Sequence, residues 1–340
     1  MTAISNVSRR QGFLISGRER GDMDILHGIG DFWVRRRAQP QAASLELVQD
    51  LTPATVVTGA SEGLGFALAR RIAREGRTIV LLARSLDVLE AAAGELAIEF
   101  PKSRVIAEVL DISDAEAPAK LDALLARHGV YLDVLVNNAA IGLGGEFTEV
   151  DQARLDELVA TNVAALTRLT RHYLPPMLLR ARGGIMNLAS LASFVPGPWQ
   201  APYFASKAYV LSLTAAIGRE CSGRGVRICA IAPGPFETRI HRKMRTSNTY
   251  YRLLLPSTSA DRMARLAWRS YRLGRRVVVP GIVNGAFAWS ARAMPYEILL
   301  PLVSWLMRPR ARPIRGMAAR MKAQERIDRT KGLRDFDAER

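Results

Sequence analysis

Two side chains in the run Tyr203-Phe204-Ala205-Ser206-Lys207 could move a proton. The run is apolar and helix-compatible, and four residues make about one helical turn, so the phenol and the ammonium fall on one face. An ammonium held there favours the phenolate and turns the phenol into a usable proton donor and acceptor near neutral pH. A surface tyrosine beside a solvated lysine has the same spacing, so the pair needs context. Ser190 stands thirteen residues before Tyr203, with Ser193 as a second hydroxyl nearby. Asn162 lies near the middle of a long helical stretch, where its amide can hold a water or bond backbone groups.

The elements that must position these residues alternate. Ala54-Thr55-Val56-Val57-Thr58 is a β-branched run that stops at Gly59-Ala60-Ser61-Glu62-Gly63-Leu64-Gly65 and restarts as the helical Phe66 to Ala73. Glycines there let the backbone turn tightly and approach a pyrophosphate, and the helix N-terminus offers free N–H groups to it. The order Gly-x-x-x-Gly-x-Gly in a strand-to-helix setting points to dinucleotide binding, against a plain strand-to-helix turn. Further strands are expected at Thr78–Leu82, Val105–Leu110, Val134–Val136, Ile185–Leu188 and Val226–Ile231, with helices from Leu86 to about Phe100, Asp114 to Arg127 and Asp151 to Leu179. Strands with little alternation between helices mean a parallel sheet covered on both faces. The expected fold class is therefore α/β, a doubly wound parallel sheet or Rossmann fold, as a single domain over 51–280 with extensions at both ends.

Ligands in such sheets bind beyond the carboxyl ends of the strands. After the second strand come Arg84 and Ser85, where an NAD site usually has a carboxylate for the ribose 2′-hydroxyl; a guanidinium pairs instead with a 2′-phosphate. This favours NADPH over NADH, the alternative being a solvated arginine. Asp111, after the third strand, could accept from the adenine amino group or cap the helix that follows.

Forty-eight Lys and Arg against 32 Asp and Glu give a net charge of +16. No helix-turn-helix, zinc-finger or RNA-binding signature accompanies it, so nucleic acid is not an expected partner. Anionic lipid stays open. Cys221 and Cys229 are expected to be reduced, structural thiols, and no metal-ligand spacing occurs.

These motifs together, over about residues 54–280, resemble the short-chain dehydrogenase/reductase family. The resemblance rests on Thr58 to Gly65, Asn137-Asn138-Ala139-Ala140, Asn162, Ser190, Tyr203 with Lys207, and Pro233-Gly234. Ala140 departs from the glycine usual in that family. The resemblance implies that Tyr203 is the general acid for carbonyl reduction and the base for alcohol oxidation. Lys207 would lower its pKa and bond the nicotinamide ribose, Ser190 would orient the carbonyl oxygen, and Asn162 would hold a water in a proton relay. It places the cofactor at Gly59, Ser61, Gly63, Leu64, Gly65, Arg84, Ser85, Asp111, Asn138, Ala139, Tyr203 and Lys207, with Pro233 to Thr238 flanking the nicotinamide and Thr238 near its carboxamide. A homo-oligomer packed on the helices of Asn162 and Tyr203 is implied too. The competing readings are a non-catalytic NADP(H)-sensing protein or a membrane-surface binding protein on the same fold.

Residues 1–50 are expected as a mobile extension or a short helix, and 239 to about 275 as the lid over an apolar carbonyl or alcohol substrate. The basic extension 281–340 opens on Val279-Pro280-Gly281-Ile282-Val283-Asn284, which is similar to the corresponding part of DltE-like proteins. Its apolar core, Ile298 to Met307, is interrupted by prolines and charges and is too short to span a bilayer. A hairpin near the substrate entrance is expected, with an interfacial anchor as the alternative, since Arg308, Arg310, Arg312 and Arg315 follow. The expected location is cytoplasmic, with peripheral membrane contact left open.

Overall fold

A computed structural model describes residues 30–235 and 258–308. Seven strands form one parallel sheet: β1 (Thr52–Thr58), β2 (Thr78–Ala83), β3 (Val105–Val109), β4 (Val130–Asn137), β5 (Gly184–Leu188), β6 (Arg227–Ile231) and β7 (Val277–Val278). Their order is β3-β2-β1-β4-β5-β6-β7, so the chain reverses direction between β1 and β4 and opens a crevice at their carboxyl ends. Because side chains alternate along a strand, Val57, Leu81, Val136 and Ile231 enter one core while Val56, Leu82, Leu135 and Ile228 enter the other. Both faces are dry, as the unbroken apolar runs require.

Helices α1 (Gly63–Ala73), α2 (Leu86–Glu99) and α7 (Ala260–Arg272) supply the first core, and α3 (Ala117–Arg127) and α5 (Leu166–Leu179) supply the second. α4 (Gln152–Val159) runs into α5 through a π-helical stretch, Ala160–Ala165, and α6 (Ala201–Glu220) follows β5. The long helix expected from Asp151 is thus real but interrupted at Asn162. The helix expected from Asp114 begins at Ala117; Asp114 instead accepts from the Glu116 N–H at 2.9 Å in the turn before it.

Two expectations change. β7, only two residues long, was not visible as a strand in the sequence, because nothing so short carries a period. Residues 258–275, the described half of the expected lid, lie on the sheet and not over the cavity. Trp268 and Tyr271 of α7 are buried and stacked at 5.2 Å, and the indole N–H donates to Glu75 Oε1 at 3.0 Å. A Cβ at Gly184 would sit 2.0 Å from the Tyr271 hydroxyl, so that glycine makes room for it. The part of the lid at 236–257, with Thr238, lies outside the described residues.

The described part of the N-terminal extension is tied to the domain's lower end: Arg37 N donates to Gly223 O at 2.7 Å, Gly225 N to Val34 O at 2.8 Å and Gln41 N to Leu179 O at 2.8 Å. Cys221 and Cys229 are buried and unbridged. At the other end of the chain, α8 (Ile282–Ala293) and α9 (Tyr296–Met307) form the expected hairpin, with Met294 and Pro295 between them. No helix among the described residues is long and apolar enough to cross a membrane.

Candidate active site

A cavity of about 360 Å³ opens at the carboxyl ends of the strands, and Asn138, Ser190, Tyr203 and Lys207 line it together with Leu64. Each arrives for a local reason. Tyr203 and Lys207 sit in the first two turns of α6, whose second residue is Pro202, a residue suited to a helix start. Lys207 is buried; its ammonium donates to Leu188 O at the end of β5 at 2.7 Å and lies 5.9 Å from the Tyr203 ring centroid. Loss of solvent pushes the Lys207 pKa down to about 8. Ser190 caps a short 3-10 turn, Leu191–Phe194, its hydroxyl accepting from Ala192 N at 3.2 Å.

Ser193 has a different task. Its hydroxyl donates to Lys207 O at 2.7 Å and accepts from Ser190 N at 3.2 Å, clamping the serine loop onto α6. Asn162 is also a clamp. Its oxygen accepts from Ile141 N at 2.7 Å, while its amide donates to Ile141 O at 2.9 Å and to Ser206 Oγ at 3.1 Å. Ser206 in turn donates to Tyr203 O at 2.7 Å, so Asn162 links the loop after β4 to the backbone of the tyrosine. Both amide hydrogens are engaged; a water at this residue would be held by oxygen, and the surrounding π-helical backbone, with its shifted bonds, is a usual source of a spare carbonyl.

The glycine turn is bound as tightly. Gly59 and Gly63 both have φ of +63°, which glycine adopts without strain. A Cβ on Gly65 would lie 2.2 Å from Gly59 O, so α1 starts in direct contact with the turn. Thr58 Oγ1 accepts from Asn138 N and Ala139 N, both at 3.0 Å, and the Asn138 amide donates to Thr58 O and Gly59 O, both at 3.0 Å. Asn138 and Ala139 therefore fix the turn across the β1–β4 crevice. α1 begins without a side-chain cap and without an acidic residue in its first turn, which leaves its leading amides suited to an anion. This geometry fits a dinucleotide pyrophosphate; Ser61 and the buried Leu64 belong to the same loop and helix start.

Arg84 follows β2 as expected, with Ser85 as the N-cap of α2, but its guanidinium pairs with Glu157 of α4 at 2.9 Å. Asp111 accepts from the Ser113 backbone N–H at 2.9 Å and hydroxyl at 2.7 Å, forming a local turn. Pro233 lines the cavity on the far side, and its carbonyl accepts from Leu191 N at 2.8 Å.

Sequence reasoning missed the other wall. Phe287 of α8 and Leu302, Val303, Trp305, Leu306 and Met307 of α9 complete the cavity. Their spacing in the sequence was helical and apolar, but nothing local says which element a hairpin will cover. Gln200, buried at the start of α6, is a further polar residue on the lining. A polar chain beneath the site was also missed: Asn137 donates to Thr170 at 3.2 Å and to Asn187 at 2.9 Å, and Asn187 to Thr214 at 2.9 Å, locking β4 and β5 to α5 and α6.

The short chain dehydrogenase family model matches residues 53–249. Gluconate 5-dehydrogenase of Gluconobacter oxydans is 32% identical over 211 residues, 61% of this chain and 80% of that protein. The 3-oxoacyl-[acyl-carrier-protein] reductase FabG of Staphylococcus aureus is 34% identical over 186 residues, 54% of this chain and 74% of its own length. Among solved structures, a short-chain dehydrogenase from Sphingobium yanoikuyae in complex with NADPH superposes with a TM-score of 0.63 at 28% identity, covering 77% of this chain and 99% of that one. With its glycine turn, Ser190, Tyr203 and Lys207 meeting in one crevice of a doubly wound sheet, this chain belongs to the short chain dehydrogenase family and is an oxidoreductase of that family.

Proposed function

We propose that the protein is an NADPH-dependent oxidoreductase that interconverts a carbonyl and an alcohol on a lipophilic substrate, with Tyr203 as the general acid and base. The convergence of Tyr203, Ser190 and Lys207 on one otherwise apolar cavity carries this reading. When bound, the nicotinamide supplies or takes up the hydride. In carbonyl reduction the Tyr203 hydroxyl protonates the developing alkoxide, and in the reverse direction the phenolate accepts the alcohol proton. The Lys207 ammonium stabilises the phenolate and bonds the nicotinamide ribose. The Ser190 hydroxyl donates to the carbonyl oxygen and holds it within reach of Tyr203. A water on the oxygen side of Asn162 passes the proton onward through Lys207. Gln200 gives the apolar cavity one further polar anchor, three residues before Tyr203.

The cofactor lies along Gly59, Ser61, Gly63, Leu64 and Gly65, with its adenosine end toward Arg84, Ser85 and Asp111 and its nicotinamide between Asn138, Ala139 and the Pro233–Thr238 segment. Arg84 reads the 2′-phosphate by exchanging Glu157 for it. That exchange is inexpensive, because an exposed ion pair is worth about 0–1 kcal/mol. The NADPH-bound relative supports the same cofactor. The substrate is apolar because the wall from Leu191, Val195 and Phe204 to Val303 and Met307 is apolar. A homo-oligomer is part of the proposal, supported by the exposed Val159 and Tyr209 on the helices that carry the site.

A panel of lipophilic ketones and secondary alcohols, assayed with NADPH and with NADH, tests the reading. Tyr203→Phe is expected to lower turnover by about 10²–10⁴-fold while NADPH binding is retained. Full activity in that variant sinks the mechanism; tight NADPH binding without turnover by the wild type across the panel would make the protein a nucleotide sensor.

A further inference from the structure

We propose that the outer face of the C-terminal hairpin docks on the surface of an anionic lipid bilayer and turns the cavity toward it. The hairpin's inner row, Ala291, Leu299, Val303 and Met307, packs with Val195 and Phe204 into a small core of its own. Its outer rows have no such cover. Trp289 is 76% exposed on α8, where Ile282 and Val283 are exposed too, and on α9 Ile298 and Trp305 are 59% and 51% exposed, spaced seven residues apart on one helix face with Leu302 between them. Tyr296, at the start of α9, is also exposed. Aromatic side chains with an apolar body and a polar edge, set beside aliphatic ones, are the composition of a surface that enters the headgroup layer.

Charge decides between a bilayer and a second copy of the chain. Glu297 is the only acidic residue from Ile282 to Gln324, against Arg292, Arg308, Arg310, Arg312, Arg315, Arg320 and Lys322. Two copies meeting through this face would bring like charges together. Anionic headgroups would instead pair with them, each basic residue near such a surface adding a favourable contribution that salt screens. Each helix is 12 residues, about 18 Å long, well short of the roughly 30 Å hydrocarbon core, so the hairpin lies on the membrane and does not cross it.

The docking face is also the cavity wall. Leu302 and Trp305 line the cavity and are exposed on the outside as well, so one helix separates Tyr203 from the lipid. A lipophilic substrate would reach the cavity from the bilayer; this consequence, unlike docking itself, rests on the oxidoreductase reading above.

The full chain is sedimented with vesicles of phosphatidylcholine mixed with phosphatidylglycerol, and with vesicles of phosphatidylcholine alone, at low and high salt. The wild type is expected to pellet with the anionic vesicles. The double variant Trp289→Ser, Ile298→Ser changes residues outside the cavity lining and should partition at least about tenfold less, with its melting temperature and its turnover of a water-soluble ketone unchanged. Wild-type protein left in the supernatant with both vesicle types overturns the proposal. So does a double variant that pellets like the wild type, since binding would then be charge alone. Light scattering that shows the double variant dissociating a wild-type dimer assigns the face to a second copy and overturns it equally. A wild type that pellets yet reduces nothing on the ketone panel defeats the enzyme reading and leaves the docking surface standing.

Discussion

The two walls of the cavity are held by different physics. On the cofactor side, Thr58, Gly59, Gly65 and Asn138 meet through directional hydrogen bonds of 3.0 Å and a helix start with no space for one added carbon. On the substrate side, α8 and α9 are seated by apolar contacts of Ala291, Leu299, Val303 and Met307. Hydrogen bonds and steric contact fix atoms at set distances, whereas apolar burial fixes area and leaves shape free. One wall can therefore serve one cofactor, while the other can change with the substrate. Tyr203 and Lys207 stand on the floor between them.

Removing the floor should have the largest effect. Lys207 is fully buried with its pKa lowered from 10.5 to about 8 by desolvation, so the native state binds fewer protons than the unfolded chain between those values. Stability then rises with pH through that window, and below about pH 8 the whole penalty, about 3 kcal/mol, is present. Lys207→Met removes it, less about 1 kcal/mol for the bond that Leu188 O loses. The variant is expected to lose turnover by about 10²–10⁴-fold yet to melt higher than the wild type at pH 7, the gap closing as pH rises toward 10.5. Calorimetry across pH checks it; a variant that melts lower at every pH would show that the ammonium is not a strained charge.

The rigid wall breaks next. Gly65→Ala places a methyl 2.2 Å from Gly59 O and 2.4 Å from the Asn138 amide, neither a flexible chain end able to move away freely. Stability should fall by about 1–3 kcal/mol, and NADPH affinity should fall with it because the turn must open. Unchanged affinity by fluorescence titration would mean that the turn does not set the cofactor's position.

Those two walls also differ in how much of them the sequence reveals. Gly59, Gly63 and Gly65 were legible because a turn of that kind needs positive φ and close approach, both of which only glycine supplies, and both are local demands. The β-branched runs showed the strands for the same reason. Tyr203 and Lys207 were legible as a pair because a helix sets their distance. Asn162 was legible as a position but not as a clamp, since Ile141 and Ser206 reach it only after folding. α7 illustrates the opposite case: its tryptophan, tyrosine and arginines read as a lid, yet the amphipathic pattern says only that one face is buried, not that it is buried on α1. Likewise no local signal says that Leu302 and Met307 would wall the cavity of Tyr203.

The soft wall should bend without breaking. Leu302→Ala shortens a side chain that is part cavity and part surface, so the missing methylenes are refilled by neighbours or substrate. KM for a lipophilic ketone is expected to rise about three- to tenfold with kcat nearly unchanged, and the melting temperature should move little. Steady-state kinetics on ketones of increasing chain length would sharpen the contrast, the shift growing with length. A loss of kcat equal to the rise in KM would instead place Leu302 in the positioning of the reacting carbonyl.

The smallest effect lies at the far end of the cofactor, where the two kinds of wall meet solvent. Arg84 pairs with Glu157, and Glu157 also pairs with Arg154, so the carboxylate competes with any phosphate for the guanidinium. An exposed pair of this kind is worth at most about 1 kcal/mol, and Glu157→Gln should therefore lower KM for NADPH by no more than about fivefold. KM for NADH, which has no 2′-phosphate, should not move. Arg84→Ala should raise the NADPH value and spare NADH, and added salt should shrink both effects. If the two cofactors respond alike to either substitution, Arg84 is a surface cation held by Glu157, and the preference for NADPH has to come from backbone and hydroxyl groups of the same loop.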